Sequence, residues 1–228
     1  MKKIFLLTLF LITSYSYAAE TVKIAFTDIV NNHAKFYIKE IETIYRKIGV
    51  EPIISVYPDS RVSYLFEKGE VDALGEELEI YEEVNSSAIK IDVPILESVP
   101  FRLFIMRGKR ETISKDKKRF VIATLNCLGC KKFSSMYKVD IDAFVTDYET
   151  GLNMLRKGRA DMMIATSIIV SKARAASDFT TFNDQKYSPK IYHFISESKK
   201  HLQLKLTKEI LNAKKRGAFN ISNIGKKK

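Results

Sequence analysis

A two-lobed α/β fold with two hinge strands is predicted by three features of this sequence. The first is a phrase that occurs twice, Lys68-Gly69-Glu70-Val71-Asp72-Ala73 and Lys157-Gly158-Arg159-Ala160-Asp161-Met162. Each copy follows an amphipathic stretch, ending in Leu65-Phe66 or Met154-Leu155, and leads into a short apolar run. Glycine there suits the left-handed residue that closes a helix, and the apolar run suits a buried strand. The second is the alternation of strand-like and helix-like segments around each copy, which implies parallel sheets with crossover connections. The third is a pair of extended apolar segments, residues 99–106 and 190–195, placed to carry the chain between lobes and back. A duplicated helix, glycine stop and strand predicts two similar lobes, an arrangement that can enclose a small molecule.

The elements follow in order. Residues 22–26 read as strand one, and Thr27-Asp28-Ile29-Val30-Asn31-Asn32 as a polar loop. Tyr37, Ile41, Ile44, Tyr45 and Ile48 recur at helical spacing before Gly49. Residues 52–57 are strand two. Pro58-Asp59-Ser60 opens a second helix, with Asp59 or Ser60 as its N-cap. Gly69 stops it, and residues 71–74 are strand three. Residues 75–87 are acidic and read as irregular or partly helical; 89–95 are extended. In the second half, strands at 119–124, 139–145 and 160–165 alternate with a short helix at 131–137 and a helix that Asp147 caps and Gly158 stops. Residues 168–176 read as helical, and Leu202, Leu204, Leu206, Ile210 and Leu211 mark a terminal helix packed on the first lobe. The expected division is 19–105 with 191–228 for the first lobe and 106–190 for the second, with hinges near Phe104 and Tyr192.

The N-terminus reads as an export signal. Lys2-Lys3 precede an apolar stretch from Ile4 to Ile12, and Ser16-Tyr17-Ala18 supplies small residues for cleavage after Ala18. That stretch is too short for a membrane span, and no cysteine stands at the cleavage site to carry a lipid. A periplasmic, non-membrane-spanning, monomeric protein of about 210 residues is expected. The formal charge of +11 falls to +9 without Lys2 and Lys3. It would attract an anionic ligand or simply solvate the surface. No basic motif interleaves with aromatics as a nucleic-acid module requires.

Ligands of open α/β sheets sit beyond the carboxyl ends of the strands. The candidate binding residues are therefore Thr27, Asp28 and Asn31 after strand one, and Ser60 and Arg61 at the second helix. Gly75 and Glu76 follow strand three; Thr124, Asn126, Thr166 and Ser167 follow strands of the second lobe. Arg61 could pair with a carboxylate or lie on the surface beside Asp59. Glu76 and Glu77 would favour a cation, or belong to a solvated acidic run with Glu79, Glu82 and Glu83.

Cys127-Leu128-Gly129-Cys130 lies between a strand and a helix. In an exported chain it reads as a local disulfide; a redox role is the alternative, since a helix N-terminus lowers a thiol pKa. His33, His193 and His201 are scattered, so no metal set forms. No nucleophile elbow, zinc-protease motif or phosphate loop is present, and no cofactor is called for.

Ile44-Tyr45-Arg46-Lys47-Ile48-Gly49-Val50, Tyr57-Pro58-Asp59-Ser60-Arg61 and Gly69-Glu70-Val71-Asp72-Ala73 together resemble the first lobe of bacterial extracellular solute-binding proteins of family 3, the polar-amino-acid type. The stretch from Tyr148 to Asp161 resembles their second lobe, and Pro189, Lys190-Ile191-Tyr192 and the late basic helix resemble their return hinge and last helix. The resemblance implies a periplasmic-binding-protein-like (type II) fold that closes on a small polar solute and is then met by an ABC-transporter permease or a membrane sensor. It departs at the amino-acid clamp. The arginine usual after strand three is missing from Gly75-Glu76-Glu77-Leu78-Glu79, and Thr166 stands where an aspartate is usual. The expected function is solute capture without catalysis. A dehydratase-like enzyme using Asp28, Glu76 or Glu77, and a redox protein using the cysteine pair, are the alternatives.

Overall fold

A computed structural model of the protein describes residues 19–109 and 119–220, without the side chains of His33 and Ser60. The export signal, most of the charged stretch 107–118 and the lysine-rich tail lie outside the described residues. In chain order the strands are β1 (Glu20–Thr27), β2 (Val50–Tyr57), β3 (Ala73–Leu78), β4 (Ala88–Lys90), β5 (Phe101–Met106), β6 (Val121–Thr124), β7 (Ala143–Val145), β8 (Met162–Thr166), β9 (Phe179–Thr181) and β10 (Ile191–Ser196). The α-helices are α1 (Asp28–His33), α2 (Lys35–Lys47), α3 (Asp59–Glu67), α4 (Tyr81–Val84), α5 (Leu128–Tyr137), α6 (Tyr148–Arg156), α7 (Ser167–Lys172) and α8 (Gln203–Lys215).

The strands form two five-stranded sheets, ordered β2-β1-β3-β10-β4 and β7-β6-β8-β5-β9. The orders correspond position by position. In each sheet three parallel strands adjoin an antiparallel one, β10 or β5, and a short edge strand. Each sheet is covered on both faces. Val22, Ile24 and Phe26 of β1 pack with Ile41, Ile44 and Tyr45 of α2 and with Leu206 and Ile210 of α8. The other face carries Ala25 and Leu74 against Val62, Leu65 and Phe66 of α3. In the second sheet Val121 and Ile164 pack on Phe133 of α5, and Ile122 and Met163 on Leu152 and Leu155 of α6. Burial on both faces is why these strands read as unbroken apolar runs.

The repeated phrase is a structural device used twice. Gly69 and Gly158 adopt φ of 69° and 64°. Glu70 and Arg159 each donate a backbone N–H to the carbonyl five residues back, Leu65 at 2.9 Å and Met154 at 2.9 Å. Gly69 and Gly158 donate to Phe66 and Leu155, completing the two-bond helix terminator. The aspartate of each copy then fastens the next strand. Asp72 Oδ2 accepts from the Lys23 backbone N–H at 2.8 Å, and Asp161 Oδ2 from that of Phe120 at 2.8 Å.

Several local expectations are corrected. Residues 28–33 form α1 rather than a loop, because the Thr27 hydroxyl caps it by accepting from Val30 N–H. Asp59 does not cap α3: Pro58 does, with φ −54° and ψ 143°, and helix begins one residue earlier than expected. β3 runs on to Leu78, so Gly75, Glu76 and Glu77 are strand residues paired toward β10 rather than irregular chain. Leu204 is 80% exposed and Leu211 is 41% exposed, so α8 packs through Leu206, Ile210 and Ala213, with Leu202 buried just before it. β5 is already a strand of the second sheet, with Phe104 paired to Met163 and Thr181. The chain passes between the sheets at 96–101 and returns at 187–191. The two crossings are bonded to each other: Phe101 N–H donates to Tyr187 O, Val99 N–H to Pro189 O and Ile191 N–H to Leu96 O.

Candidate functional site

A cavity of about 190 Å3 lies between the two sheets, beside the crossing segments. Its position follows from the topology. Thr27 ends β1, Glu76 and Glu77 occupy the last half of β3, and Thr166 ends β8. Parallel strands of both sheets thus deliver their carboxyl ends to one space, as expected for an open α/β sheet. The starts of α3, α5 and α6 bring Asp59, Cys127 and Tyr148 to its wall.

Of the predicted site residues, Thr27, Glu76, Asn126 and Thr166 line the cavity. Asn126 adopts φ 57°, a left-handed turn that asparagine tolerates. Thr166 caps α7 by accepting from Ile169 N–H at 3.3 Å. The others do not line it. Asp28 is exposed and Asn31 half-buried on α1. Ser60 is in the first turn of α3. Arg61 is exposed, its guanidinium 5.7 Å from the Tyr57 ring centre, so the expected carboxylate clamp on Arg61 has no counterpart in the cavity. Gly75 is buried behind the wall, where its carbonyl accepts from the Tyr37 hydroxyl and meets His193 Nδ1 at 3.1 Å. Thr124 is buried at the end of β6, and Ser167 donates its N–H to Pro100 O.

Sequence reasoning missed the character of the wall. Most of it is apolar: Val30 and Leu78 from the first sheet's side, Leu96 and Val99 from a crossing segment, Ile168 and Ile169 from α7. The Ile168-Ile169 pair two residues after the capping Thr166 was the available signal. Cys127 and Cys130 are joined by a disulfide, and Cys127 lines the cavity while capping α5. The disulfide is almost wholly covered, with Cys127 7% and Cys130 0% exposed.

The polar part is acidic. Glu76 is buried, and its Oε1 accepts from the Thr27 hydroxyl at 2.7 Å and the Thr27 N–H at 3.2 Å. Its Oε2 has no hydrogen-bond partner. Glu77 accepts from the Leu78 N–H at 2.8 Å. Burial holds the Glu76 carboxyl well above its ordinary pKa, against the two Thr27 bonds, and pushes Glu77 up to about 8 and Asp59 up to about 6. The charges acting on these three are other carboxylates, Asp28 among them. The Tyr148 phenol is raised by burial and by Asp59. Among the described residues, no lysine, arginine or histidine lines the cavity. Among the described residues there is no cluster of side chains that could hold a metal ion, and no helix is long and apolar enough to cross a membrane.

No family model matches the sequence, and no curated protein matches it. Solved structures do. A protein from Listeria monocytogenes, provisionally assigned as an L-cystine ABC transporter, superposes with a TM-score of 0.71 at 17% identity, covering 90% of this chain and 94% of that one. The GluR0 ligand-binding core from Nostoc punctiforme, in complex with L-glutamate, gives 0.70 at 15% identity over 89% and 97%. The periplasmic VFT2 domain of BvgS from Bordetella pertussis gives 0.67 at 14% identity over 89% and 92%. Likeness at this identity establishes a shared architecture: the chain has the two-lobed periplasmic-binding-protein-like fold of these proteins.

Proposed function

We propose that this protein is a solute-binding receptor of the family 3 type, which captures a small solute between its lobes and presents the closed form to a transporter permease or a membrane sensor. One observation carries the reading: the cavity is walled jointly by strand ends of both sheets and by the crossing segments. A solute there contacts both lobes at once, so its binding favours the closed form by the difference in contacts between the two states. The structural neighbours support it, being a provisionally assigned ABC transporter protein, a ligand-binding core in complex with an amino acid and a periplasmic domain.

We place the hinge at the bonded segments 96–101 and 187–191 rather than near Phe104 and Tyr192, so that residues 101–105, read from sequence as part of the first lobe, go with the second. The location is periplasmic, the form monomeric, and no cofactor is required. The redox alternative has little support in the geometry, because a covered disulfide offers no sulfur to a partner thiol. The enzymatic alternative shares the acidic cavity and is separated by experiment.

The test is a thermal-shift and calorimetric screen of the purified protein against amines, amino acids, dicarboxylates, polyamines, sugar acids and short peptides. A ligand at 100-fold its Kd adds about 2.7 kcal/mol, a shift of roughly 5–11 °C for a chain of this size. One compound class giving that shift at one-to-one stoichiometry, with the compound recovered unchanged, is the expected result. Conversion of the bound compound to product would overturn the receptor reading in favour of an enzyme. So would the absence of any shift, in favour of a protein partner alone.

A further inference from the structure

The cavity combines two properties that narrow its ligand. Among the described residues, its polar groups include three carboxylates with no cationic side chain in the lining, and one buried oxygen, Glu76 Oε2, has no partner. The remaining wall is largely hydrocarbon, with Leu96, Val99, Ile168 and Ile169 prominent. The basic character of the chain as a whole, +11 by sequence, does not extend into this space.

We propose that the solute is an organic cation: an ammonium or guanidinium group seated among Asp59, Glu76 and Glu77, an apolar body against the hydrocarbon wall, and no carboxylate. This deepens the receptor reading and rests on it.

Three arguments support the assignment. A buried carboxylate oxygen without a donor is costly unless something pairs with it, and an ammonium supplies both hydrogen and charge. A ligand carboxylate would meet no basic side chain among the described residues and would oppose the ionisation of Asp59, Glu76 and Glu77 that pairing with a cation requires. The helix N-termini around the cavity do not reverse this. Their fields amount to roughly half a charge each, and one N–H of each of four of them is already engaged, by the Thr27, Thr166 and Asp147 caps and by Cys127 Sγ. Once ionised against a bound cation, the carboxylates outweigh these partial charges. The cavity, about 190 Å3, suits a small amine or guanidine rather than a peptide.

The experiment uses matched pairs that differ by one carboxylate: phenethylamine and phenylalanine, isoamylamine and leucine, agmatine and arginine, cadaverine and lysine. Each is titrated calorimetrically into the protein near neutral pH, in two buffers of different ionisation enthalpy. At least one amine is expected to bind roughly 100-fold more tightly than its amino acid. Binding should release protons, since the carboxyls must ionise to pair with the cation, so the measured heat should differ between buffers. Glu76→Gln retains an oxygen for Thr27 and should weaken the amine roughly 30-fold or more, with an undiminished melting temperature. Glu77→Gln is the second variant should the first fail to fold. Equal or tighter binding of the amino-acid partner, or unchanged affinity in a folded Glu76→Gln or Glu77→Gln, overturns the proposal. Binding of a dicarboxylate or sugar acid but of no amine also overturns it and leaves the receptor reading standing. Binding of nothing in either panel removes both.

Discussion

The Thr27 hydroxyl donates to Glu76 Oε1 at 2.7 Å while its own oxygen caps α1 by accepting from Val30 N–H at 3.3 Å. One side chain thus orients the buried carboxyl and starts the helix beside it. Thr27→Val keeps the shape and loses both bonds. It is expected to destabilise the fold by about 1–3 kcal/mol, the cost of unpaired buried groups, whereas Thr27→Ser stays near the parent. Urea denaturation measures this, and an unchanged midpoint for Thr27→Val would show that the bond does not matter to the fold.

The acidic cavity should make the empty protein sensitive to alkali. Burial raises Glu77 from an ordinary 4.5 to about 8 and Asp59 from 3.8 to about 6. A carboxyl whose folded pKa lies above its unfolded one holds extra protons in the folded state. Its stabilising effect is complete below the unfolded value and is lost as pH rises through the folded value. His193, buried and lowered to about 4 from 6.5, acts oppositely and loses stability as pH falls. The window from about pH 6.5 to 8.5 therefore isolates the carboxyls. The melting temperature of the ligand-free protein is expected to fall across it, and Glu77→Gln to flatten the fall. A flat curve for the parent protein would contradict the burial of Glu77.

The disulfide closes a loop of only four residues, Cys127 to Cys130. Chain entropy assigns such a loop about 2 kcal/mol, or roughly 4–8 °C for a protein of this length. Reduction, or the double change Cys127→Ser with Cys130→Ser, should lower the melting temperature by that amount and leave solute binding measurable. Complete loss of binding with an intact fold would instead give the cysteine pair a functional role.

Gly75 has no room for a side chain. A Cβ there would stand 2.1 Å from the Phe26 ring, which is fully buried. Gly75→Ala must displace that ring or the strand that carries Glu76. A loss of about 1–3 kcal/mol is expected from overpacking, with weaker solute binding at the displaced Glu76. A denaturant midpoint equal to the parent's would show that β1 and β3 can part without cost.

The sequence by itself determined the architecture, because each lobe's signals are local. A glycine forced to positive φ, an aspartate that fastens a strand and apolar runs buried on both faces leave their marks within a few residues, and Lys68–Ala73 and Lys157–Met162 carry them twice. The strand-end rule also reached Thr27, Glu76, Asn126 and Thr166. Tertiary structure alone decided the character of the cavity. Whether Glu76 and Glu77 are solvated or enclosed depends on how far β3 runs beside β10, a strand more than a hundred residues later. The hydrocarbon wall joins Val30, Leu96, Val99, Ile168 and Ile169 from elements distant in the chain. No local pattern records such a meeting, since burial of a charge is a property of the enclosure and not of the residue.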